Sequence, residues 1–250
     1  MNPPTDASHE LALAARPGSG AMFDAIAARY DRVNRVLSLG LDQRWRRRLV
    51  TALGPLGEGD AVLDVATGTG DVALAIAAAH PNVRVIGVDP SAQMLAHGAV
   101  KVEARGVADR IRLQRGDAEL LPFADASFAA SAIAFGIRNV PDRAAGLAEL
   151  VRVTRQGGVV AILELGEPDG ALLGRLARWH VREVVPRIGA LLSSAPSYRY
   201  LQESIARFPP PAAFAAMCSD AGLRDVEVIT LGFGACHLYV GRVPQRTAAA

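Results

Sequence analysis

From residue 61 onward the chain alternates between short apolar runs and longer amphipathic stretches. Runs rich in Val, Ile, Leu and Ala predict strands, and apolar residues at helical spacing predict the helices between them. The predicted strands are 61–66, 83–88, 111–115, 128–134, 159–163, 225–230 and 236–240. The predicted helices are 22–30, 41–53, 71–79, 91–105, 142–153, 172–185, 198–206 and 211–221.

This order of elements predicts the fold class. Strands that alternate with helices at this spacing form βαβ units and a parallel sheet. The last two predicted strands follow each other without a helix, so we expect them to close the sheet as an antiparallel pair. The sequence predicts one doubly wound, Rossmann-like α/β domain over residues 21–243, with N-terminal helices and a helical insertion after strand 5. We expect residues 1–20 and 244–250 to be disordered tails.

Composition is that of a folded soluble protein. The chain has 250 residues, half of them hydrophobic and 21% charged, which is enough to bury the core of one α/β domain. No apolar run approaches the roughly 20 residues of a membrane-spanning helix, and residues 1–20 lack the layout of a signal peptide. The net charge of +2 is too small to favour nucleic acid as a partner. We expect a cytoplasmic protein.

The two cysteines, Cys218 and Cys236, are too few for a disulfide framework. They also lack the close-spaced His or Cys partners of a zinc site. Free cysteines are among the residues most often buried. We therefore expect two inert buried thiols, and we expect no metal.

A glycine-rich turn follows the first predicted strand, in the sequence Asp-Val-Ala-Thr-Gly-Thr-Gly-Asp at 64–71. Gly68 and Gly70 allow the backbone to turn sharply and to approach a ligand closely. Asp89 ends the second predicted strand, where its carboxylate can accept both hydroxyls of a ribose. The same spacing fits the dinucleotide fingerprint, so an NAD-dependent oxidoreductase stays open at this point.

Two further features separate a sulfonium cofactor from a nicotinamide. Gly-Asp-Ala at 116–118 ends the third strand, and Gln-Gly-Gly at 156–158 turns into the fifth. With the antiparallel closing pair, this set resembles the class I S-adenosylmethionine methyltransferases. The resemblance implies S-adenosylmethionine as the cofactor, and Asp64 would orient the loop or the methionine amino group. It implies direct cofactor contacts by Gly68, Thr69, Gly70, Asp89, Asp117 and Ala118. A purely turn-forming Asp117 also stays open.

Four motifs narrow the substrate. The chain has Tyr-Asp-Arg-Val-Asn at 30–34, Phe-Gly-Ile-Arg-Asn-Val at 135–140, Val-Pro-Arg-Ile-Gly at 185–189 and Tyr-Arg-Tyr-Leu at 198–201. These blocks resemble the C-methyltransferases of menaquinone and ubiquinone biosynthesis, from about residue 22 to 243. The resemblance implies a demethylmenaquinol or 2-polyprenyl-6-methoxy-benzoquinol substrate, and it makes Tyr30 a further cofactor contact.

Carbon methylation of a quinol requires a phenolate, because only the deprotonated ring places charge on the ortho carbon. Arg138 follows the fourth strand, and its guanidinium can stabilise an oxyanion by paired hydrogen bonds. Its high pKa makes it a poor base, so water or another group takes the proton. Asn139, His180, Tyr198 and Tyr200 are candidate helpers. The alternative for Arg138 is a salt bridge without a catalytic role.

The sequence departs from the pattern of that family at several positions, among them Val33, Asp42, Ala134 and Gln156. These departures leave the choice between naphthoquinol and benzoquinol open, and a methyltransferase of another small aromatic is the main alternative. A nucleic-acid methyltransferase is disfavoured, because the fourth strand ends in Phe-Gly-Ile-Arg-Asn instead of an Asn/Asp-Pro-Pro-aromatic loop.

Two basic stretches raise the question of a membrane surface. In the predicted helix 172–185 an apolar stripe lies beside a basic one, and Arg44, Arg46, Arg47 and Arg48 surround Trp45. Helices with this pattern lie on membrane surfaces or cover apolar substrates. A core-facing stripe with a solvated basic face explains the pattern equally well. Peripheral contact with the inner membrane therefore stays open, as does a homodimer.

Overall fold

The computed structural model describes residues 38–166 and 195–245, with side chains from residue 200 in the second range, together with Asp24, Ala27, Asp31 and Arg35. The strands are β1 (Ala61–Val65), β2 (Arg84–Asp89), β3 (Ile111–Arg115), β4 (Phe128–Ala134), β5 (Thr154–Leu165), β6 (Arg224–Leu231) and β7 (Cys236–Arg242). The helices are α1 (Leu41–Ala52), α2 (Asp71–Ala79), α3 (Ala92–Ala104), α4 (Arg143–Val153), α5 (Ala195–Ala206) and α6 (Pro211–Asp220).

The strands form one seven-stranded sheet in the order β3-β2-β1-β4-β5-β7-β6. Strands β1 to β5 run parallel to one another, and β7 is antiparallel to both β5 and β6. The predicted antiparallel pair is confirmed. Because β7 lies between β5 and β6, the last strand of the chain joins the closing hairpin to the parallel part of the sheet.

Two apolar cores cover the two faces of this sheet. Leu49 of α1 and Ile76 of α2 pack in one core, together with part of α3. Leu150 of α4 and Phe214 of α6 pack in the other. Helices on both faces of a largely parallel sheet confirm the doubly wound α/β class. Local capping supports two of these helices, because the side chains of Ser91 and Asp142 accept N–H groups in the first turns of α3 and α4.

The fifth strand begins earlier than the pattern predicts, at Thr154 instead of residue 159. Gln156, Gly157 and Gly158 therefore belong to the strand and not to a turn before it. Gly157 has a φ of 73°, and the backbones of Gly157 and Gly158 bond to Val243 at 2.8 and 2.9 Å. Apolar periodicity could not find this part of the strand, because backbone pairing with the end of β7 holds it.

The predicted helix 22–30 is described only at Asp24 and Ala27, which are helical, and the predicted helix 172–185 lies outside the described residues. The predicted tail 1–20 lies outside them as well. Helix α5, within the insertion after β5, packs against the turn Ile137–Asn139.

Candidate functional site

The carboxyl ends of β1 to β5 meet at one edge of the sheet, where open α/β folds bind ligands. Asp64 lies near the end of β1, Asp89 ends β2 and Asp117 follows β3. The turn with Arg138 follows β4, and Glu164 lies near the end of β5. The topology therefore brings the acidic residues and the arginine predicted from the sequence to the same edge.

The glycine-rich turn is pinned at both of its ends by the buried carboxylate of Asp64. Asp64 Oδ2 accepts the Thr67 hydroxyl at 2.5 Å and the Ala73 N–H at 3.0 Å. Burial raises the pKa of this carboxyl to about 7. Gly68 and Gly70 have φ values of 57° and 78°, which glycine adopts without steric cost. These contacts hold Asp64 beneath the loop, and its role in orienting the loop or the methionine amino group stays a prediction.

The loop is packed closely on its inner side and open on its outer side. A Cβ at Gly87 of β2 would lie 2.8 Å from Thr67 Oγ1, and one at Gly98 of α3 would lie 3.2 Å from the Thr69 carbonyl carbon. By contrast, no atom of the described residues lies within 4 Å of a Cβ built at Gly68. Within the described part of the chain, the loop therefore leaves space beside Gly68.

Asp89 joins the end of β2 to this loop. Its Oδ2 accepts the Gly68 N–H at 2.8 Å and its Oδ1 accepts the Ser91 N–H at 2.9 Å. The residue is 7% exposed, and burial raises the pKa of its carboxyl to about 6, with a further contribution from nearby Asp24. Each carboxylate oxygen has a second lone pair, so the predicted ribose acceptor fits this geometry.

Asp117 is held as part of a turn. Its Oδ1 accepts the Glu119 N–H at 2.9 Å, which is the turn-forming arrangement that the sequence left open. Gly116 allows the close approach to β2, because a Cβ there would lie 2.4 Å from Val88 Cγ1. The turn therefore places Asp117 and Ala118 beside the end of β2, and their contact with adenine stays a prediction.

Thr69 takes part in a network that the sequence did not predict. Its hydroxyl donates to Asp31 Oδ1 at 2.6 Å, and Lys101 Nζ lies 3.0 Å from Thr69 Oγ1 and 2.9 Å from Asp31 Oδ2. Lys101 also pairs with Asp71 at the start of α2. The partners lie 30 to 70 positions apart in the chain, and no local pattern signals such pairs.

Arg138 is buried and paired with Glu164, which no motif in the sequence marks as a site residue. Its Nη1 donates to Glu164 Oε1 at 2.7 Å and to the Phe135 carbonyl at 2.5 Å. Its backbone N–H donates to Glu164 Oε2 at 3.1 Å. A Cβ at Gly136 would lie 2.5 Å from the Cβ of Ala66, so the arginine turn lies directly against the start of the glycine loop.

One pair of predicted catalytic helpers comes together at this turn. Tyr200 of α5 donates its hydroxyl to Asn139 Oδ1 at 3.2 Å. This bond ties the helical insertion to the Arg138 turn. Tyr30, His180 and the side chain of Tyr198 lie outside the described residues, and their roles stay predictions.

Asp42, one of the positions that depart from the family pattern, forms a buried ion pair with Arg46 and accepts the Ser38 hydroxyl at 2.8 Å. The Arg46 guanidinium lies 5.3 Å from the centre of the Phe135 ring. Asp42 therefore orients a cation that stacks on Phe135, just before the Arg138 turn. Arg46 belongs to this buried cluster and not to a solvated basic face.

The two cysteines are buried, as predicted. Burial raises the pKa of the Cys218 thiol to about 12 and also raises the pKa of Cys236. A thiol that does not ionise is a poor nucleophile. Among the described residues, none of the helices combines the length and apolarity of a membrane span.

Comparison with known sequences gives one consistent result. The sequence model of the ubiE/COQ5 methyltransferase family matches residues 15–242. The chain is 45% identical to a ubiquinone/menaquinone biosynthesis C-methyltransferase UbiE of Citrifermentans bemidjiense, over 88% of this chain and 94% of that protein. It is 43% identical to a demethylmenaquinone methyltransferase of Thermus thermophilus, over 89% of this chain and all of that protein.

Solved structures share the fold. A SAM-dependent methyltransferase from Aquifex aeolicus has a TM-score of 0.58 at 18% identity, over 79% of this chain and 89% of that one. Phosphoethanolamine N-methyltransferase 2 of Haemonchus contortus, solved with S-adenosyl-L-methionine, has a TM-score of 0.61 at 17% identity, over 80% of this chain and 52% of that one. At these identities the likeness concerns the fold alone.

Proposed function

Because the chain belongs to the ubiE/COQ5 methyltransferase family, we propose that it methylates a ring carbon of a polyprenylated quinol with S-adenosylmethionine as the donor. Demethylmenaquinol is the first candidate substrate, and 2-polyprenyl-6-methoxy-1,4-benzoquinol is the second. The proposal is carried by one observation. The buried guanidinium of Arg138 lies in a turn that packs on the start of the glycine loop.

The cofactor half of the proposal rests on three carboxylates. Asp64 lies beneath the loop that receives the methionine end, Asp89 accepts the ribose hydroxyls and Asp117 lies at the adenine position. When bound, S-adenosylmethionine supplies a methyl group on a sulfonium sulfur, which a carbon nucleophile can attack in line. The open side of Gly68 leaves the space that the methionine end needs.

The acceptor half rests on Arg138 and its neighbours. A guanidinium in a water-poor site stabilises a phenolate oxygen more strongly than water does, because the donor is already oriented. That stabilisation favours the ionised quinol, whose ortho carbon is nucleophilic. Asn139 and Tyr200, bonded to each other at 3.2 Å, close the same turn and help to orient the ring.

The test is turnover with labelled S-adenosylmethionine and two reduced substrates, demethylmenaquinol and the 6-methoxy-benzoquinol, followed by mass analysis of the product. We expect a mass gain of one methyl group on a ring carbon of at least one quinol. A chain that binds the cofactor but methylates neither quinol would contradict the proposed substrate. Methylation of a simple phenol at a higher kcat/KM would favour the alternative of another small aromatic.

Peripheral contact with a membrane is the localisation that we propose. Leu39 and Leu41 are 68% and 41% exposed, and Arg44, Arg47 and Arg48 of α1 are exposed beside them. Exposed apolar and basic side chains together suit a surface of anionic lipid. Sedimentation with vesicles should be stronger for anionic than for zwitterionic lipid and weaker in the double variant Leu39→Asn, Leu41→Gln. Equal sedimentation of the variant and the natural chain would contradict this localisation.

A further inference from the structure

Glu164 holds the backbone of Arg138 as well as its side chain. One carboxylate oxygen accepts Arg138 Nη1 at 2.7 Å, and the other accepts the Arg138 N–H at 3.1 Å. The Leu165 N–H adds a bond to Oε1 at 2.8 Å. Glu164 is fully buried and the Arg138 residue is 8% exposed. The Glu164 carboxylate therefore holds both the backbone and the guanidinium of Arg138.

We propose that Glu164 is the positioning residue for oxyanion recognition by Arg138, an inference that rests on the proposed function. Nη1 is anchored on Glu164 Oε1 and on the Phe135 carbonyl at 2.5 Å. Anchoring this nitrogen twice restricts the orientation of the planar guanidinium with which, under the proposed function, Arg138 recognises the oxygen of the substrate. Glu164 acts through Arg138 and does not touch the substrate.

The energetics of burial argue for this role over one in folding. A buried ion pair is costly to desolvate, and well-packed apolar residues in its place are often as stable or more stable. Both partners of this pair come from the ligand-binding edge, one after β4 and one at the end of β5. Groups that recognise developing charge must be oriented before the reaction, and that orientation depends on the residues behind them.

The chain contains a matched pair that serves as a control. Glu149 accepts Arg152 Nε at 2.6 Å and the Leu121 N–H at 2.7 Å, the same combination of guanidinium and backbone donors. This pair ties α4 to the loop after Leu121. Glu149→Gln should therefore lower thermal stability and leave kcat unchanged.

The first experiment is a double-mutant cycle on kcat. Arg138→Lys should lower kcat about a hundredfold, as loss of one oriented transition-state donor does. Glu164→Gln should lower it about tenfold or more, with S-adenosylmethionine affinity within about twofold of the natural chain. In the Arg138→Lys background, Glu164→Gln should have no further effect. If the loss of kcat in the double variant equals the product of the two single losses, Glu164 does not act through Arg138 and the proposal is overturned.

If Glu164→Gln does not fold, a second variant, Glu164→Asp, tests the same inference. Glu164→Asp keeps the charge but is one methylene shorter, so it cannot hold Nη1 and the Arg138 N–H at the same distances. It should give an intermediate loss of kcat that also vanishes in the Arg138→Lys background. A folded Glu164→Asp with the kcat of the natural chain would overturn the proposal.

The second experiment does not need turnover. The anion of 2-hydroxy-1,4-naphthoquinone is a planar ring oxyanion, and its affinity for the complex with S-adenosylhomocysteine can be measured by calorimetry. Arg138→Lys and Glu164→Gln should each lower the affinity for the anion about tenfold, and the double variant should lose no more than either single variant. The affinity for neutral 1,4-naphthoquinone should be the same in all variants. Unchanged anion affinity in Glu164→Gln would overturn the inference. If the chain methylates neither quinol but both variants still bind the anion more weakly, the proposed function is contradicted. The positioning of Arg138 by Glu164 is then still supported.

Discussion

Lys101 Nζ, on the last turn of α3, lies 3.0 Å from the hydroxyl oxygen of Thr69 in the glycine loop. The same ammonium pairs with Asp31 of the N-terminal segment and with Asp71 of α2. One cation thus joins the cofactor loop to the segment that precedes the sheet. We infer that this segment contributes to how long the cofactor stays bound.

Lys101→Met should therefore speed release of the cofactor more than it lowers stability. The Lys101 and Asp31 side chains are 29% and 32% exposed, and ion pairs of this kind contribute less than about 1 kcal/mol to folding. We expect the dissociation rate of S-adenosylhomocysteine, followed by stopped flow, to rise about fivefold, since closed elements slow ligand release. Arg155→Met removes a pair with Asp60 at the opposite edge of the sheet and is the control. Equal rates in both variants would contradict the coupling.

Asp89→Ala should abolish tight cofactor binding and leave a folded protein. The substitution removes the proposed ribose acceptor and also the carboxylate that accepts the Gly68 N–H at 2.8 Å. A site built to accept a hydroxyl typically loses about a hundredfold or more in affinity when its acceptor is lost. Calorimetry with S-adenosylmethionine and circular dichroism of the same sample separate binding from folding. Natural affinity in a folded Asp89→Ala would remove Asp89 from the ribose site.

The buried carboxylates predict opposite effects of pH on stability and on binding. Burial raises the pKa of Asp64 to about 7 and that of Asp89 to about 6. Repulsion from Asp89 also raises the pKa of Asp64, and repulsion from Asp24 also raises that of Asp89. Because these values lie above the unfolded value of about 3.9, the stability contributed by both groups is complete below about pH 4 and is lost as pH rises through 6 to 7. The melting temperature of the ligand-free protein should therefore rise as the pH is lowered from 8 to 5.5.

Cofactor affinity should fall over the same interval, because a protonated Asp89 accepts fewer hydrogen bonds from ribose. Melting curves with and without S-adenosylhomocysteine, at matched ionic strength, measure both trends. In Asp64→Asn the rise of the ligand-free melting temperature should shrink, whereas the loss of affinity below pH 6 should persist. A binding profile that stays flat from pH 8 to pH 5 would contradict the assignment of the ribose to Asp89.

Only the reduced ring should be methylated. A quinol can lose a hydroxyl proton and place charge on the ortho carbon, whereas the quinone has no such proton and an electron-poor ring. We expect no product from the oxidised substrate in an oxidant-buffered assay, and product after addition of a reductant. Turnover of the quinone with reductants excluded would refute a phenolate mechanism and with it the role of Arg138.

The regular elements were predictable because their signals are local. The helix Asp71–Ala79 and the strands Ile111–Arg115 and Phe128–Ala134 coincide with the predicted ranges. The strand Ile111–Arg115 alternates apolar and polar residues, the other two elements are almost wholly apolar, and each of the three has Gly or Ser next to one of its ends. The glycine loop was predictable for the same reason, since its positive φ angles require glycine at Gly68 and Gly70.

The partners of the site residues were not predictable, because they depend on the order of the strands. Glu164 reaches Arg138 only because β5 lies beside β4, 26 positions along the chain. Asp31 meets Thr69 across 38 positions. A buried Glu at the end of an apolar strand is itself a signal, since an unpaired buried carboxylate is costly, but the sequence does not identify its partner.

The pairing of β1 with β4 divides the candidate site between two sets of strands, one on each side of that pair. Asp64, Asp89 and Asp117 come from β1 to β3, whereas Arg138 and Glu164 come from β4 and β5. We expect substitutions in the second set to change which molecule is methylated more than they change donor binding. Selection can therefore act on the two tasks separately. On this division, a change of acceptor concerns the segments at the ends of β4 and β5, whereas a change of donor concerns the turns after β1, β2 and β3.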